Sequence, residues 1–185
     1  FLYEQVNVLG TLHLLQLAVE HSIPVFVYAS SSSVYGNMTT APFREDMQLD
    51  QPISPYAATK KACELLAYTY HHLHGLRCTG LRFFTVYGPA GRPDMAPFLF
   101  TRNILRGRPI TQFGDGSTLR DYTYIDDIVA GVVAALDRAY PYEIFNLGNC
   151  RPIRLDDFIH SIAAAVGAAP VIERKPMQPG DVVMT

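Results

Sequence analysis

A strand–helix–strand pattern in the first half of the sequence constrains the fold more than any other feature. Pro24 ends a helical stretch, and residues 25–29 form a short, continuous apolar run, as expected of a strand buried on both faces. A helical pattern then begins at Pro55 and stops before Gly75, and residues 79–84 predict a second strand. Such a βαβ unit requires parallel neighbouring strands. The sequence therefore predicts an α/β fold with a parallel sheet.

The second half of the sequence has shorter elements separated by glycines. A helix around residues 98–105, a strand at 110–113 and a helix that opens with two aspartates follow one another closely. We therefore predict two lobes. Residues 1–88 belong to the sheet domain, and residues 89–185 form mainly a smaller lobe, with elements within about 121–150 returning to the sheet domain.

Composition excludes several classes of function. The net charge of -2 gives no electrostatic reason to bind nucleic acid, and no apolar run approaches the ~20 residues of a membrane span. Cys63, Cys78 and Cys150 are too few and too widely spaced for a disulfide framework or a metal site. We expect a cytoplasmic location and a small-molecule partner, with no nucleic acid, metal or membrane in this segment.

Tyr56 and Lys60 are the first candidates for chemistry. They are four residues apart, so on a helix they share one face. A neighbouring ammonium stabilises the ionised form of a phenol, which suits Tyr56 to act as a general base. The alternative is a helix-surface tyrosine beside a solvated lysine.

A run of four serines, residues 30–33, follows directly on the first strand. The carboxyl ends of strands are where open α/β sheets bind ligands, although serines also form simple turns. The βαβ geometry returns the helix with Tyr56 and Lys60 beside this strand end. A hydroxyl, a phenol and an ammonium can then remove a proton from a substrate alcohol while hydride leaves the same carbon. Because no side chain accepts hydride, this chemistry needs a cofactor.

Five ordered motifs along the whole chain resemble those of the extended short-chain dehydrogenase/reductases that act on nucleotide sugars. They are Asn7-Val8-x-Gly10-Thr11, Ser-Ser-Ser-Val-Tyr-Gly at 31–36, Tyr56-x-x-x-Lys60, Leu-Arg-Phe-Phe-Thr-Val-Tyr-Gly-Pro at 81–89, and Arg-Asp-Tyr-Thr-Tyr-Ile-Asp-Asp at 120–127. Within this NAD-dependent epimerase/dehydratase family, residues 91–96 and 177–181 are most similar to UDP-glucuronate 4-epimerases.

The resemblance implies a fold, an activity and a set of partners. The fold is a partial Rossmann-type doubly wound parallel sheet with a smaller C-terminal substrate-binding lobe, and complete members extend further at both ends. The implied reaction is NAD-dependent epimerisation at C4 of a UDP-hexuronic acid, UDP-glucuronate to UDP-galacturonate, through a 4-keto intermediate. A homodimer is also implied. The alternatives are a C4 epimerase of a neutral UDP-sugar, a decarboxylase or dehydratase relative, and a catalytically silent NAD-binding module.

The resemblance also assigns roles to individual residues. The catalytic set consists of Ser31, Tyr56 and Lys60. The NAD site would be lined, together with Tyr56 and Lys60, by Asn7, Ala29, Ser30 and Phe83. The substrate set would be Ser32, Ser33, Thr85 and Arg92 near the sugar carboxylate, and Phe113, Arg120 and Asp181 near the uridine diphosphate. Taken alone, the two arginines are equally compatible with solvated surface positions.

The serines favour one reaction within the family. Relatives that dehydrate the sugar carry Thr-Asp-Glu in place of residues 31–33, and decarboxylating relatives carry Glu at the position of Ser33. Neutral hydroxyls at Ser32 and Ser33 can hold a substrate carboxylate by hydrogen bonds, whereas a glutamate would repel it. The sequence thus favours simple epimerisation.

Overall fold

The computed structural model describes residues 2–178 and 181–185. Its elements, in chain order, are a π-helix (Glu4–Leu9), α1 (Gly10–Glu20), β1 (Val25–Ser31), a 3-10 helix (Ser32–Tyr35), α2 (Pro55–His74), β2 (Arg77–Phe83), β3 (Thr85–Tyr87), α3 (Ala96–Leu105), β4 (Ile110–Phe113), β5 (Leu119–Tyr124), α4 (Ile125–Arg138), β6 (Tyr142–Leu147), β7 (Pro152–Arg154), α5 (Leu155–Val166) and β8 (Ile172–Lys175). No helix in the described part of the chain is long and apolar enough to cross a membrane.

The chain divides into two units. The first unit comprises residues 2–84 and 126–148, and the second comprises 85–125 and 149–185, apart from 179 and 180. The first unit contains a three-stranded parallel sheet in the order β1-β2-β6. The unit β1–α2–β2 is the βαβ unit expected from the sequence, and the predicted α/β fold with a parallel sheet is confirmed.

Local sequence signals set the limits of α2. The Ser54 side chain accepts a hydrogen bond of 3.1 Å from the Ala57 amide, which caps the helix, and Pro55 occupies the first turn. Gly75 ends the helix in the left-handed conformation, with φ of 68°, and its amide bonds the carbonyl of His71. A residue without Cβ adopts this conformation at little cost. The first turn, which carries Tyr56, therefore starts at a well-defined point.

Two buried clusters support the sheet of the first unit. One lies between the helices and the sheet and contains Leu15, Ala18, Tyr28, Ala67, Leu76 and Cys78. The other surrounds the 3-10 helix and contains Val34, Tyr35 and Leu49, with Phe43 and Phe84 packed against it. The carboxyl end of β1 thus runs into a 3-10 helix whose last two residues are buried.

The second unit contains two small sheets. β3 and β5 are parallel, β5 and β7 are antiparallel, and β4 pairs in parallel with β8. Its core packs α3 and α5 together through Phe100, Ile104, Ile110, Ile159 and Ala163. The strands β3, β5, β7 and β8 were not predicted. β3, β7 and β8 have only three or four residues and carry little periodicity, whereas β4, which is equally short, was predicted beside the glycines that follow it.

Two helical segments also differ from expectation. Residues 4–9, in the helical stretch that precedes Pro24, form a π-helix, and residues 32–35, where the serines were compatible with a simple turn, form a 3-10 helix. The first segment contains Asn7 and the second contains Ser32 and Ser33, to which the resemblance assigns binding roles. π-Helical turns occur frequently at functional sites.

Candidate active site

Tyr56 and Lys60 lie on the first two turns of α2, and both are half-buried. The Lys60 ammonium donates a hydrogen bond of 3.0 Å to the carbonyl oxygen of Ala29, in β1. The same nitrogen lies 5.9 Å from the centre of the Tyr56 ring. The strand end therefore fixes the ammonium next to the phenol, as the helical spacing predicted.

Ser31 is the last residue of β1 and caps the 3-10 helix that follows. Its hydroxyl oxygen accepts hydrogen bonds from the Ser33 amide at 3.1 Å and from the Ser33 hydroxyl at 2.9 Å. A hydroxyl that accepts two hydrogen bonds still carries its own hydrogen. Ser31 can therefore donate to a ligand oxygen placed at the end of β1.

The π-helix contacts the first turns of α2. The Asn7 amide donates a hydrogen bond of 3.0 Å to the hydroxyl of Thr59, which itself donates to the carbonyl of Tyr56 at 2.8 Å. The ring of Tyr3 packs edge-on against Tyr56, with 5.5 Å between ring centres. Asn7 thus stabilises the turn that carries the phenol, a role that the sequence did not indicate.

The remaining residues expected near a cofactor lie at the carboxyl ends of β1 and β2. Ala29 is exposed and presents its carbonyl to Lys60, whereas Ser30 is buried and its hydroxyl donates to Glu64 at 2.7 Å. Phe83 is half-buried and pairs with Ser31 in the strand register. This edge is where open α/β sheets bind ligands.

In the second unit, the structure brings Arg120 and Asp181 together. Their side chains form an ion pair of 2.6 Å between Nη2 and Oδ1, and a second guanidinium nitrogen donates to the carbonyl of Leu119. Both residues were expected near the uridine diphosphate. Pro179 and Gly180, which belong to the same motif as Asp181, lie outside the described residues.

The other substrate candidates of the second unit lie on separate elements. Thr85 begins β3, and Phe113 ends β4. Arg92 lies in an exposed loop, where its side chain pairs with Asp94 at 2.6 Å. An exposed ion pair of this kind contributes little to stability.

Glu64 and Arg82 form a buried ion pair that the sequence analysis missed. Each is 1% exposed, and two hydrogen bonds of 2.8 Å and 3.0 Å join them. Burial opposes ionisation of both groups, but the hydrogen bonds from Arg82 and Ser30 lower the pKa of Glu64, and the carboxylate in turn raises the pKa of Arg82. An arginine inside an otherwise apolar predicted strand was the signal that a partner must exist.

Within residues 2–178 and 181–185, no three His, Cys, Asp or Glu side chains are grouped so that they could hold a metal ion. Asp126 and Asp127 lie in the first turn of α4, where acidic groups complement the helix dipole.

Comparison with known proteins identifies the family. The model of the NAD dependent epimerase/dehydratase family matches residues 2–148. The chain belongs to this family. The epimerase/dehydratase chain is 49% identical over 168 residues to the UDP-glucuronate 4-epimerase of Thermodesulfobacterium geofontis, covering 90% of this chain and 51% of the relative. It is 51% identical over 168 residues to UDP-glucuronate 4-epimerase 1 of Arabidopsis thaliana, covering 82% of this chain and 39% of the relative.

A solved structure extends this likeness to three dimensions. The UDP-glucuronic acid 4-epimerase from Bacillus cereus, in complex with UDP-glucuronic acid and NAD, superposes with a TM-score of 0.91 at 36% identity. The match covers 97% of the epimerase/dehydratase chain and 57% of that structure. These findings confirm the resemblance and the Rossmann-type fold expected from the motifs. The chain spans about half the length of the relatives that it matches.

Proposed function

We propose that this protein uses NAD to epimerise UDP-glucuronate and UDP-galacturonate at C4. The observation that carries the proposal is the placement of Ser31, Tyr56 and Lys60 around the carboxyl end of β1, with Lys60 held by the Ala29 carbonyl at 3.0 Å. The relatives named as UDP-glucuronate 4-epimerases, and the Bacillus cereus complex with NAD, support the same reaction.

The residues fit a dinucleotide at this edge of the sheet. Lys60 uses one of its three donors on Ala29, so two remain for ribose hydroxyls. Phe83, paired with Ser31, offers an apolar surface beside the same strand end. When bound, NAD accepts hydride from C4 of the sugar and later returns it.

Side chains of this protein remove and return the proton of the C4 hydroxyl. Tyr56 takes the proton of the C4 hydroxyl, Ser31 donates a hydrogen bond to the same oxygen, and Lys60 stabilises the ionised phenol. The sugar becomes a 4-keto intermediate, which turns in the site. With NAD bound, hydride would be returned to the opposite face of C4, and Tyr56 gives its proton back to the oxygen. The proton and the hydride removed from the sugar are both returned, so substrate and product differ only in the configuration at C4.

The substrate assignment is based on the serines that follow Ser31. Ser32 is a neutral residue that can donate to the sugar carboxylate. The Ser33 hydroxyl donates to Ser31 in this structure, so its proposed bond to the carboxylate requires the hydroxyl to turn when substrate binds. The resemblance assigns Thr85 and Arg92 to the same carboxylate. The Arg120 guanidinium, oriented by Asp181, is suited to the diphosphate, and Phe113 to the uracil ring. No carboxylate replaces the serines, so neither dehydration nor decarboxylation is favoured.

The decisive experiment follows the product directly. The full-length protein is incubated with UDP-glucuronate and NAD, and NMR detects the axial C4 hydroxyl of UDP-galacturonate. Tyr56→Phe is expected to lower kcat by roughly 10³-fold, because general-base catalysis is lost. Tyr68→Phe is the matched control: Tyr68 lies on the same helix, is 53% exposed and should keep full activity. Retained turnover in Tyr56→Phe would remove the general-base assignment.

One observation favours a second candidate, a neutral UDP-sugar as substrate. In this structure the Arg92 guanidinium is bound by Asp94 rather than left open. If Arg92 recognises the carboxylate, Arg92→Ala should raise the KM for UDP-glucuronate by about tenfold or more and leave that for UDP-glucose unchanged. An unaltered KM for the uronic acid would favour the neutral sugar.

A homodimer remains part of the proposal. Leu14 and Leu17 on α1 and Leu65 on α2 are 47–60% exposed, so both helices carry apolar surface that a second copy could cover. Sedimentation of the full-length protein should give twice the monomer mass. A monomer at micromolar concentration would contradict this assignment.

A further inference from the structure

Two side chains of α2, one turn apart, attach the helix to the end of β1. The Lys60 ammonium bonds the carbonyl of Ala29, and the Glu64 carboxylate accepts a hydrogen bond of 2.7 Å from the hydroxyl of Ser30. Ser30 is 3% exposed and lies between Ala29, which anchors the ammonium, and Ser31, which is the proposed donor to the substrate oxygen. The Ser30–Glu64 bond therefore acts on the backbone segment that joins the two functional groups.

Arg82 links this contact to the segment that follows Ser31. Besides its paired bonds to Glu64, its guanidinium donates to the hydroxyl of Tyr35 at 2.8 Å and lies 5.0 Å from the centre of that ring. Tyr35 ends the 3-10 helix capped by Ser31, and its hydroxyl donates to Asn146 on β6 at 2.8 Å. One buried network thus joins α2, β1, β2, β6 and the 3-10 helix.

We expect the network to contribute more to the geometry of the site than to the stability of the fold. A buried ion pair loses much of its attraction to the cost of removing both charges from water, and apolar replacements are often no less stable. Its directional bonds, however, allow only one arrangement of the groups that they join. Lys61 also contacts Glu64 at 3.0 Å. The carboxylate is therefore bound by Ser30 of β1, by Arg82 of β2 and by Lys61 of its own helix, α2.

We propose that Glu64 is a positioning residue, which acts through Ser30 to set the distance between Ser31 and the Tyr56–Lys60 pair. This inference rests on the proposed function, since it assigns Glu64 a part in the proton transfer without contact to the substrate. Removal of the Ser30–Glu64 bond takes away one of the two hydrogen bonds that join α2 to the end of β1, so the strand end can shift relative to the helix. Ser31 is then no longer held at the right distance from Tyr56 and Lys60, so the proton transfer slows. Binding of the UDP-sugar depends on other residues and is kept.

Ser30→Ala is the test, because it removes the bond and leaves the Glu64–Arg82 pair intact. Glu64→Gln would strand a buried arginine and could fail to fold. The matched control is Thr79→Val: Thr79 is fully buried on the neighbouring strand β2, and its hydroxyl has no hydrogen-bond partner among the described residues. Both variants are made in the full-length protein saturated with NAD, and kcat and KM for UDP-glucuronate are measured by NMR.

Ser30→Ala should lower kcat by about tenfold with the KM within about twofold, while Thr79→Val changes neither. If Ser30 had a purely structural role, kcat would fall equally in Ser30→Ala and Thr79→Val, or kcat per folded protein would stay unchanged in both. Either result would overturn the proposal. A raised KM with unchanged kcat would also overturn it, since Ser30 would then serve binding.

Crystal structures of both variants separate this proposal from the proposed function. The Lys60–Ala29 hydrogen bond, 3.0 Å here, should lengthen in Ser30→Ala and stay the same in Thr79→Val. If the wild-type protein converts no UDP-sugar, the proposed function fails. The lengthening then still supports the positioning contact, and an unchanged distance overturns it.

Discussion

Replacement of Lys60 by methionine tests the electrostatic part of the mechanism. The Lys60 ammonium lies 5.9 Å from the centre of the Tyr56 ring, and both residues are half-buried. With an effective dielectric constant near 20, a positive charge attracts a unit negative charge at that distance by roughly 3 kcal/mol, which is about a 100-fold effect on a rate if negative charge develops on the ring during proton transfer. Lys60→Met should therefore lower kcat by about 100-fold near neutral pH.

Saturation with NAD distinguishes this effect from a loss of cofactor binding. If Lys60 acts through its charge, the kcat of Lys60→Met should stay about 100-fold below the wild-type kcat at saturating NAD, whereas excess NAD would restore a variant that had lost only cofactor affinity. The assay follows UDP-galacturonate by NMR at saturating NAD, with NAD affinity measured separately. Lys175→Met, in which an exposed lysine on β8 is changed in the same way, is the control for loss of charge. A wild-type kcat for Lys60→Met at saturating NAD would refute the electrostatic argument.

Three further outcomes concern stability and reactivity. Gly80→Ala should destabilise the fold by about 1–3 kcal/mol, because the new Cβ would lie 2.6 Å from the Tyr28 hydroxyl; an unchanged Tm would contradict this. Burial raises the pKa of Cys78 and Tyr142 to about 12, so stability present below about pH 9 should fall as the pH rises toward 12, and a flat profile in urea melts would count against it. Native maleimide labelling, followed by peptide mass spectrometry, should modify exposed Cys150 and spare buried Cys78; equal labelling would show the burial to be wrong.

Local signals made the limits of α2 predictable. Pro55 and Gly75 both act on the backbone at their own positions, and the observed helix lies directly between them. The end of β1 was less predictable, because serines favour turns. Here Ser30 and Ser31 continue the strand, paired with Arg82 and Phe83 of β2, so strand pairing overrides the local preference.

The candidate site was predictable to the extent that its residues share a helix. Spacing alone placed Tyr56 and Lys60 on one face, but the partner of Lys60 is the backbone carbonyl of Ala29, which any residue type could supply. The same limit applies to the pairing of Arg120 with Asp181, which are 61 residues apart in sequence. Contacts of this kind depend on tertiary structure, so they produce no periodic pattern in the sequence from which they could be predicted.

The buried charges could have been found with the rule that was used for Tyr56. Glu64 is four residues beyond Lys60, so Tyr56, Lys60 and Glu64 follow one another at helical spacing on one face of α2. Lys60 and Glu64 bond consecutive residues of β1, which shows that this face meets the strand end. A carboxylate there must be neutralised, and the arginine in the neighbouring apolar strand is the cation available to do so. A buried Glu64 or a buried Arg82 would be unfavourable alone, so the presence of both in buried elements predicts that they form an ion pair.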